Sequence, residues 1–251
     1  MSGHSKWATI KHKKAATDAK RGRAFTKIIR EITIATRVGG ADPNSNPRLR
    51  TAILAAKNEN MPSDNIDRAI SRGAGTLEGE QYEEVNFEGY GPGGVGMIIQ
   101  VVTTNRNRVV SEIRHMMNKN GGNMAETGAV GWMFHRKGDI VVSKEQADED
   151  KMLSIVLDAG AEDLRDDGEA WEVLTPPESF EAVRDALTNA GIKTESAEVG
   201  FVPQNYVKLT GTQAGQMLRL VEALEEHDDV QKVSANFDID EKEIQAVMAE
   251  E

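Results

Sequence analysis

Lys6, Lys11, Lys13, Lys14, Lys20, Arg21, Arg23, Lys27, Arg30 and Arg37 stand within the first 38 residues against Asp18 and Glu31 alone, a local balance of +8. The full 251-residue chain carries 30 basic and 41 acidic side chains, net −11, so the remainder holds −19. Cations gathered at one end of an acidic chain form a handle for a polyanion, because each Lys or Arg that meets a phosphate releases a condensed counterion. The acidic remainder repels the same polyanion and confines contact to that end. Trp7, beside Lys6 and His4, offers a ring for base stacking, worth ~1–3 kcal/mol where it occurs; packing against the following helices is the other use of such a ring. Arg106, Arg108 and Arg114 form a second cationic group around a helix start capped by Asn105. A helix N-terminus with guanidinium groups suits a phosphate, and solvent-facing arginines would have the same spacing.

Other chemistries find little support. The chain has no cysteine, which removes disulfides, thiolate metal sites and a Cys nucleophile, and fits a reducing compartment. His4, His12, His115, His135 and His227 show no metal-ligand spacing. Gly91-Pro92-Gly93-Gly94-Val95-Gly96 spells a dinucleotide fingerprint but opens a strand where a helix is required, so a hairpin loop is expected and no cofactor. There is no P-loop. Asp166-Asp167 and Asp228-Asp229 read as turn and helix-end residues. No enzyme and no small-molecule substrate is expected. No apolar run reaches the ~18 residues of a membrane span, and no signal peptide is read at the start. Residues 8–22 lack the amphipathic stripe of a transit peptide.

The elements that must position these residues follow from periodicity. Residues 1–23 hold too few apolar groups to bury and read as a basic arm, extended or weakly helical. From Ala24, the residues Phe25, Ile28, Ile29, Ile32 and Ala35 recur at helical spacing, with Lys27, Arg30 and Arg37 on the opposite side. Asn46-Pro47 opens a second helix and Ser63 caps a third, giving a small helical domain over 24–78. Strands are expected at 82–88, 95–102 and 129–134, the last alternating Val130, Trp132 and Phe134, with a helix after Asn105. Residues 137–203 read as β-α-β-β-α-β, a ferredoxin-like order, with Asp167-Gly168 as the hairpin turn and Thr175-Pro176-Pro177-Glu178 as a capping box. A final strand-helix-strand, 206–210, 212–227 and 230–237, is too small to stand alone. It is expected to return to the sheet of 79–136, making one discontinuous domain of 79–136 plus 204–251 around the insertion. The fold class is α+β.

Gly3-His4-Ser5-Lys6-Trp7, Lys13-Lys14-Ala15-Ala16, Lys20-Arg21-Gly22-Arg23, Phe25 to Ile32, Glu88 to Gly94 and Asn105 to Arg108 resemble the YebC/PmpR family over nearly the whole chain. The resemblance implies three domains, an N-terminal helical one and a middle one interrupted by the third, in a non-enzymatic cytoplasmic protein. It further implies either a DNA-binding transcriptional regulator acting on promoter DNA or a translation factor associated with ribosomal RNA and the ribosome, helping synthesis through proline runs. Ser2, Ser63 and Gly96 depart from residues usual in the family. No helix shows a first turn of Asn, Gln and Arg suited to a major groove, and a basic arm with one aromatic suits structured RNA, so RNA is favoured. A protein-protein adaptor using the acidic domains is the third class.

Overall fold

The computed structural model describes residues 18–168 and 170–249, with backbone alone for 18–21 and 248–249. Three helices come first: α1 (Asp18–Gly39), α2 (Pro47–Asn58) and α3 (Ser63–Gly73). Helix α1, described from Asp18, includes residues of the expected arm, where Ala19, Lys20 and Arg21 are good helix formers and Gly22 alone resists. Asn46 caps α2 as its type predicts, accepting from Leu49 N at 3.1 Å, while its amide donates to Ala35 O and Gly40 O. Ser63 is the first residue of α3, following Pro62, and makes no cap bond. Ile32, Ala35, Leu49, Ala56, Ile66 and Ala69 form the buried centre of this bundle.

Strands β1 (Glu83–Tyr90) and β2 (Gly96–Thr103) pair antiparallel across the glycine loop, where Gly93 and Gly94 take φ of +72° and +80°. Those angles are cheap only for glycine, so the segment is the expected hairpin loop. Helix α4 (Arg106–Lys119) and a short β3 (Asn123–Ala125) follow. After the inserted unit come β8 (Val207–Lys208), α7 (Gly211–Glu226), β9 (Val230–Ala235), β10 (Phe237–Asp238) and α8 (Glu241–Ala249). The returning β9 pairs antiparallel with β2, giving a four-stranded sheet β3-β1-β2-β9, while β8 and β10 form a separate parallel pair. Met97, Ile99 and Val101 on one sheet face pack with α4 and α7 around Ile113, Met117, Met217 and Leu220.

The inserted unit is β4 (Phe134–Ser143), α5 (Glu149–Asp158), β5 (Asp163–Asp167), β6 (Ala170–Thr175), α6 (Phe180–Asn189) and β7 (Ser196–Pro203). Its sheet order β5-β6-β4-β7, antiparallel throughout, is that of a ferredoxin-like domain. Both helices cover one face, packing Met152, Val156, Phe180, Val183 and Leu187 on Ile140, Val142, Trp171 and Val173.

Further expectations are corrected. Residues 129–134 are not a strand: Gly131–Met133 is a 3₁₀ turn and β4 starts at Phe134, so the expected boundary between 136 and 137 falls inside β4. Val130 and Phe134, four apart, both point into a small core with Ile98, as one helical turn allows, and Trp132 between them points outward. The capping box does not form, since the Thr175 hydroxyl donates to Pro176 O and α6 starts at Phe180. The strand expected at 206–210 is reduced to Val207–Lys208.

Candidate nucleic-acid interface

Helix α1 buries its apolar side in the bundle and presents Arg23, Lys27 and Arg30 to the corner where α7 ends and β9 begins. Arg23 Nη2 lies 3.2 Å from Glu226 Oε1, Lys27 Nζ donates to Glu225 O at 2.6 Å, and Arg30 reaches Asp228 O and, at 2.8 Å, Asp229 Oδ1. The Arg30 side chain is 14% exposed and that of Asp229 4%. From the other side, Arg108 at the start of α4 pairs with Asp229 Oδ2 and Glu112, and the Thr103 hydroxyl donates to the same Asp229 oxygen at 2.9 Å. Asp229 thus supplies from within the chain the anion that Arg108, at the start of α4, meets. His227 completes the corner: Asp229 N–H donates to its Nδ1, so the ring proton is on Nε2 and is shared with Glu112 at 2.9 Å.

Four of the expected contact residues, Arg23, Lys27, Arg30 and Arg108, therefore meet at one point, and they meet carboxylates and carbonyls of their own chain. Arg106 is exposed with no ion pair among the described residues. Lys20 and Arg21 lie within α1; Lys6, Trp7, Lys11, Lys13 and Lys14 lie outside the described residues. Sequence reading missed Asp229 as the hub. A signal was present: Glu225, Glu226, Asp228 and Asp229 crowd a helix C-terminus, where the macrodipole disfavours acid unless cations arrive from elsewhere.

Further ion pairs fasten the helical bundle to both other units. The Arg48 guanidinium holds Glu31 at 2.6 and 2.9 Å and Glu84 at 2.9 and 3.0 Å. Arg50 pairs with Glu181 of α6, and the Arg30 guanidinium stands 5.6 Å from the Tyr82 ring centre. An open groove of about 700 Å³ beside the 75–81 linker is lined by Arg37 and Arg72 but also Glu78 and Glu80, so its walls favour neither sign of ligand. Among the described residues no group of three or more His, Asp and Glu is placed to hold a metal ion, and no helix is long and apolar enough to cross a membrane.

The profile of the TACO1/YebC protein N-terminal domain matches residues 5–76, and that of the TACO1/YebC second and third domain matches 82–237. A probable transcriptional regulatory protein of Solibacter usitatus is 64% identical over 247 residues, covering 98% of this chain and 99% of the relative. One of Acidobacterium capsulatum is 60% identical over 243 residues, covering 97% and 98%. The crystal structure of a conserved hypothetical protein from Aquifex aeolicus superposes with a TM-score of 0.81 at 47% identity, covering 89% of this chain and 92% of that one. Matching profiles over both parts of the chain, relatives aligned end to end and the same three-part fold in a solved neighbour place this chain in the TACO1/YebC family.

Proposed function

We propose that the protein is a non-enzymatic regulator of gene expression that binds nucleic acid through its basic N-terminal arm and the first turns of α1. The observation that carries this reading is the charge division, +8 over the first 38 residues against −19 over the rest. Lys6, Lys11, Lys13, Lys14, Lys20 and Arg21 are the proposed phosphate contacts, with Trp7 as a stacking ring. Arg23, Lys27, Arg30 and Arg108 are assigned to docking α1 on the acidic corner, where each already has a partner.

Structured RNA, with the ribosome as its natural source, is the favoured ligand. Arg48 and Arg50 at the start of α2 are bound to Glu31, Glu84 and Glu181, and the exposed side of α3 opens with Asp64 and Asp67, acids that suit a major groove poorly. The names of the relatives, probable transcriptional regulatory proteins, favour a second reading in which promoter DNA is the ligand. Ultraviolet crosslinking in growing cells, with sequencing of the RNA and DNA recovered, separates the two: ribosomal RNA is expected, and discrete promoter DNA would replace the first reading by the second. In vitro, Lys11→Glu/Lys13→Glu/Lys14→Glu is expected to abolish RNA binding with an unchanged melting temperature. Retained binding would remove the arm from the mechanism.

A further inference from the structure

Trp132 is 67% exposed, yet almost everything around it is fixed. Its indole N–H donates to Ala129 O at 3.1 Å, its carbonyl accepts from Gln204 Nε2, also at 3.1 Å, and Met133 O accepts from Gln204 N. Beneath it, Val130 and Phe134 are buried against Ile98. Glu88 on β1 accepts three backbone N–H bonds, from Gly128, Val130 and Gly131, at 2.7–2.8 Å. Burial alone would push this carboxyl up; the three donors outweigh it and hold it below the usual carboxylate range. A segment so tied holds a large ring in water at a set angle, which a solvated loop has no need to do.

The surroundings indicate what the ring meets. The other exposed large apolar side chains among the described residues, Val38, Leu54, Leu77 and Leu157, lie on α1, α2, the linker and α5. Trp132 is therefore the one exposed Trp, Tyr or Phe ring among the described residues, with only the half-buried Ala129 and Met133 as apolar chain neighbours. His135 and Arg136 follow it, both exposed and neither in an ion pair among the described residues. An exposed ring with a guanidinium close by in the chain is an arrangement that stacks a nucleobase and reaches its phosphate.

We infer that Trp132 is a second nucleic-acid contact, a stacking platform for one unpaired base, with Arg136, four residues on near the start of β4, as the cation for a neighbouring phosphate. The inference rests on the nucleic-acid reading above and adds a site to it on the acidic part of the chain, so that contact is not confined to the basic end: stacking on a ring needs no net positive charge. Val130 and Met133 pack beside Gly96 at the start of β2, whereas Asp229 N-terminal to β9 lies beside Val102 near its end. The α1 clasp and the Trp132 tip are thus separated along β2 by roughly 20 Å at ~3.3 Å per residue.

The test measures anisotropy of a labelled RNA hairpin with an unpaired loop, using the full chain. Trp132→Ala is expected to weaken binding about tenfold. Trp132→Phe keeps most of the affinity, and the dependence of log K on log salt keeps its slope, since stacking releases no counterion. Arm substitutions instead flatten that slope. Circular dichroism checks that the exposed position leaves the fold intact. Wild-type affinity in Trp132→Ala, or equal losses for Ala and Phe, overturns the stacking platform while the arm reading stands. Absence of RNA binding by the unaltered protein overturns both.

Discussion

Asp229 receives donors from three separate elements, Arg30 of α1, Arg108 of α4 and the Thr103 hydroxyl of β2, and is buried among them. A buried carboxylate is tolerated only with such company, and removing one partner leaves part of its charge uncompensated. Arg30→Ala is expected to cost about 2–3 kcal/mol in the docking of α1, less than a fully isolated pair because Arg108 remains. Faster hydrogen exchange at the amides of 229–231 reads this out; unchanged exchange would mean α1 is held by other means. Asp139 on β4 is the opposite case. Burial, with Glu172 and Glu198 nearby and only Lys232 opposing, pushes its carboxyl up to about 7. A carboxyl whose native pKa exceeds its unfolded value favours the native state at low pH, and this contribution is lost between about 4 and 7 as pH rises. Asp139→Asn is therefore expected to raise the melting temperature at pH 8 by at least ~2–4 °C, the shift that about 1 kcal/mol gives in a chain of this size. The gain should vanish towards pH 4, and a gain independent of pH would assign it to something other than titration.

At the scale of elements, Glu88 makes more hydrogen bonds to the 126–133 segment than any other side chain among the described residues, accepting one each from Gly128, Val130 and Gly131. Glu88→Ala is expected to speed hydrogen exchange at Gly128, Val130 and Gly131 by at least about tenfold, as loss of a charge-assisted bond to each implies. Because the Glu88 pKa is depressed, its stabilisation is present above the unfolded carboxyl value and is lost as pH falls through the lower native one. Exchange in the wild type, corrected for its intrinsic rate, should therefore rise only at acid pH. Much of the element order was legible from sequence, because Asn46, Asn105 and Gly168 each carry a local reason for their place: two caps, and a turn with φ of +74°. What stayed hidden was non-local. The alternation of Val130, Trp132 and Phe134 fits a strand as well as a single turn, and only the core around Ile98 decides between them. Arg30 and Asp229 carry no mutual spacing signal, so a basic helix face read as ligand-facing is instead the face that meets the acidic corner.

Across the whole molecule, the three units have separate cores around Leu49, Met217 and Val156. What joins the bundle to the rest is largely ionic: Arg23, Arg30, Arg48 and Arg50 against Glu226, Asp229, Glu84 and Glu181. Polar interfaces of this kind permit relative domain motion, and their exposed pairs are screened by salt. Small-angle scattering is expected to report a larger radius of gyration at ~1 M salt, where the Debye length is about 3 Å, with circular dichroism unchanged. A constant radius would place the docking energy in the buried Arg30–Asp229 pair alone.

The ferredoxin-like unit is entered through β4 and left through β7, and these strands run antiparallel with Phe134 opposite Pro203. Paired residues in such a ladder lie about 5 Å apart, so the break in the host domain is no wider than a hairpin turn. The host chain can therefore lose this unit, or accept another with adjacent ends, without rerouting any strand of its own sheet. Excision with a short turn between Phe134 and Pro203 would keep Phe134 against Ile98 and Val130, and would leave Trp132 on a smaller protein. The insertion is a cassette, and the machinery that presents Trp132 belongs mainly to its host.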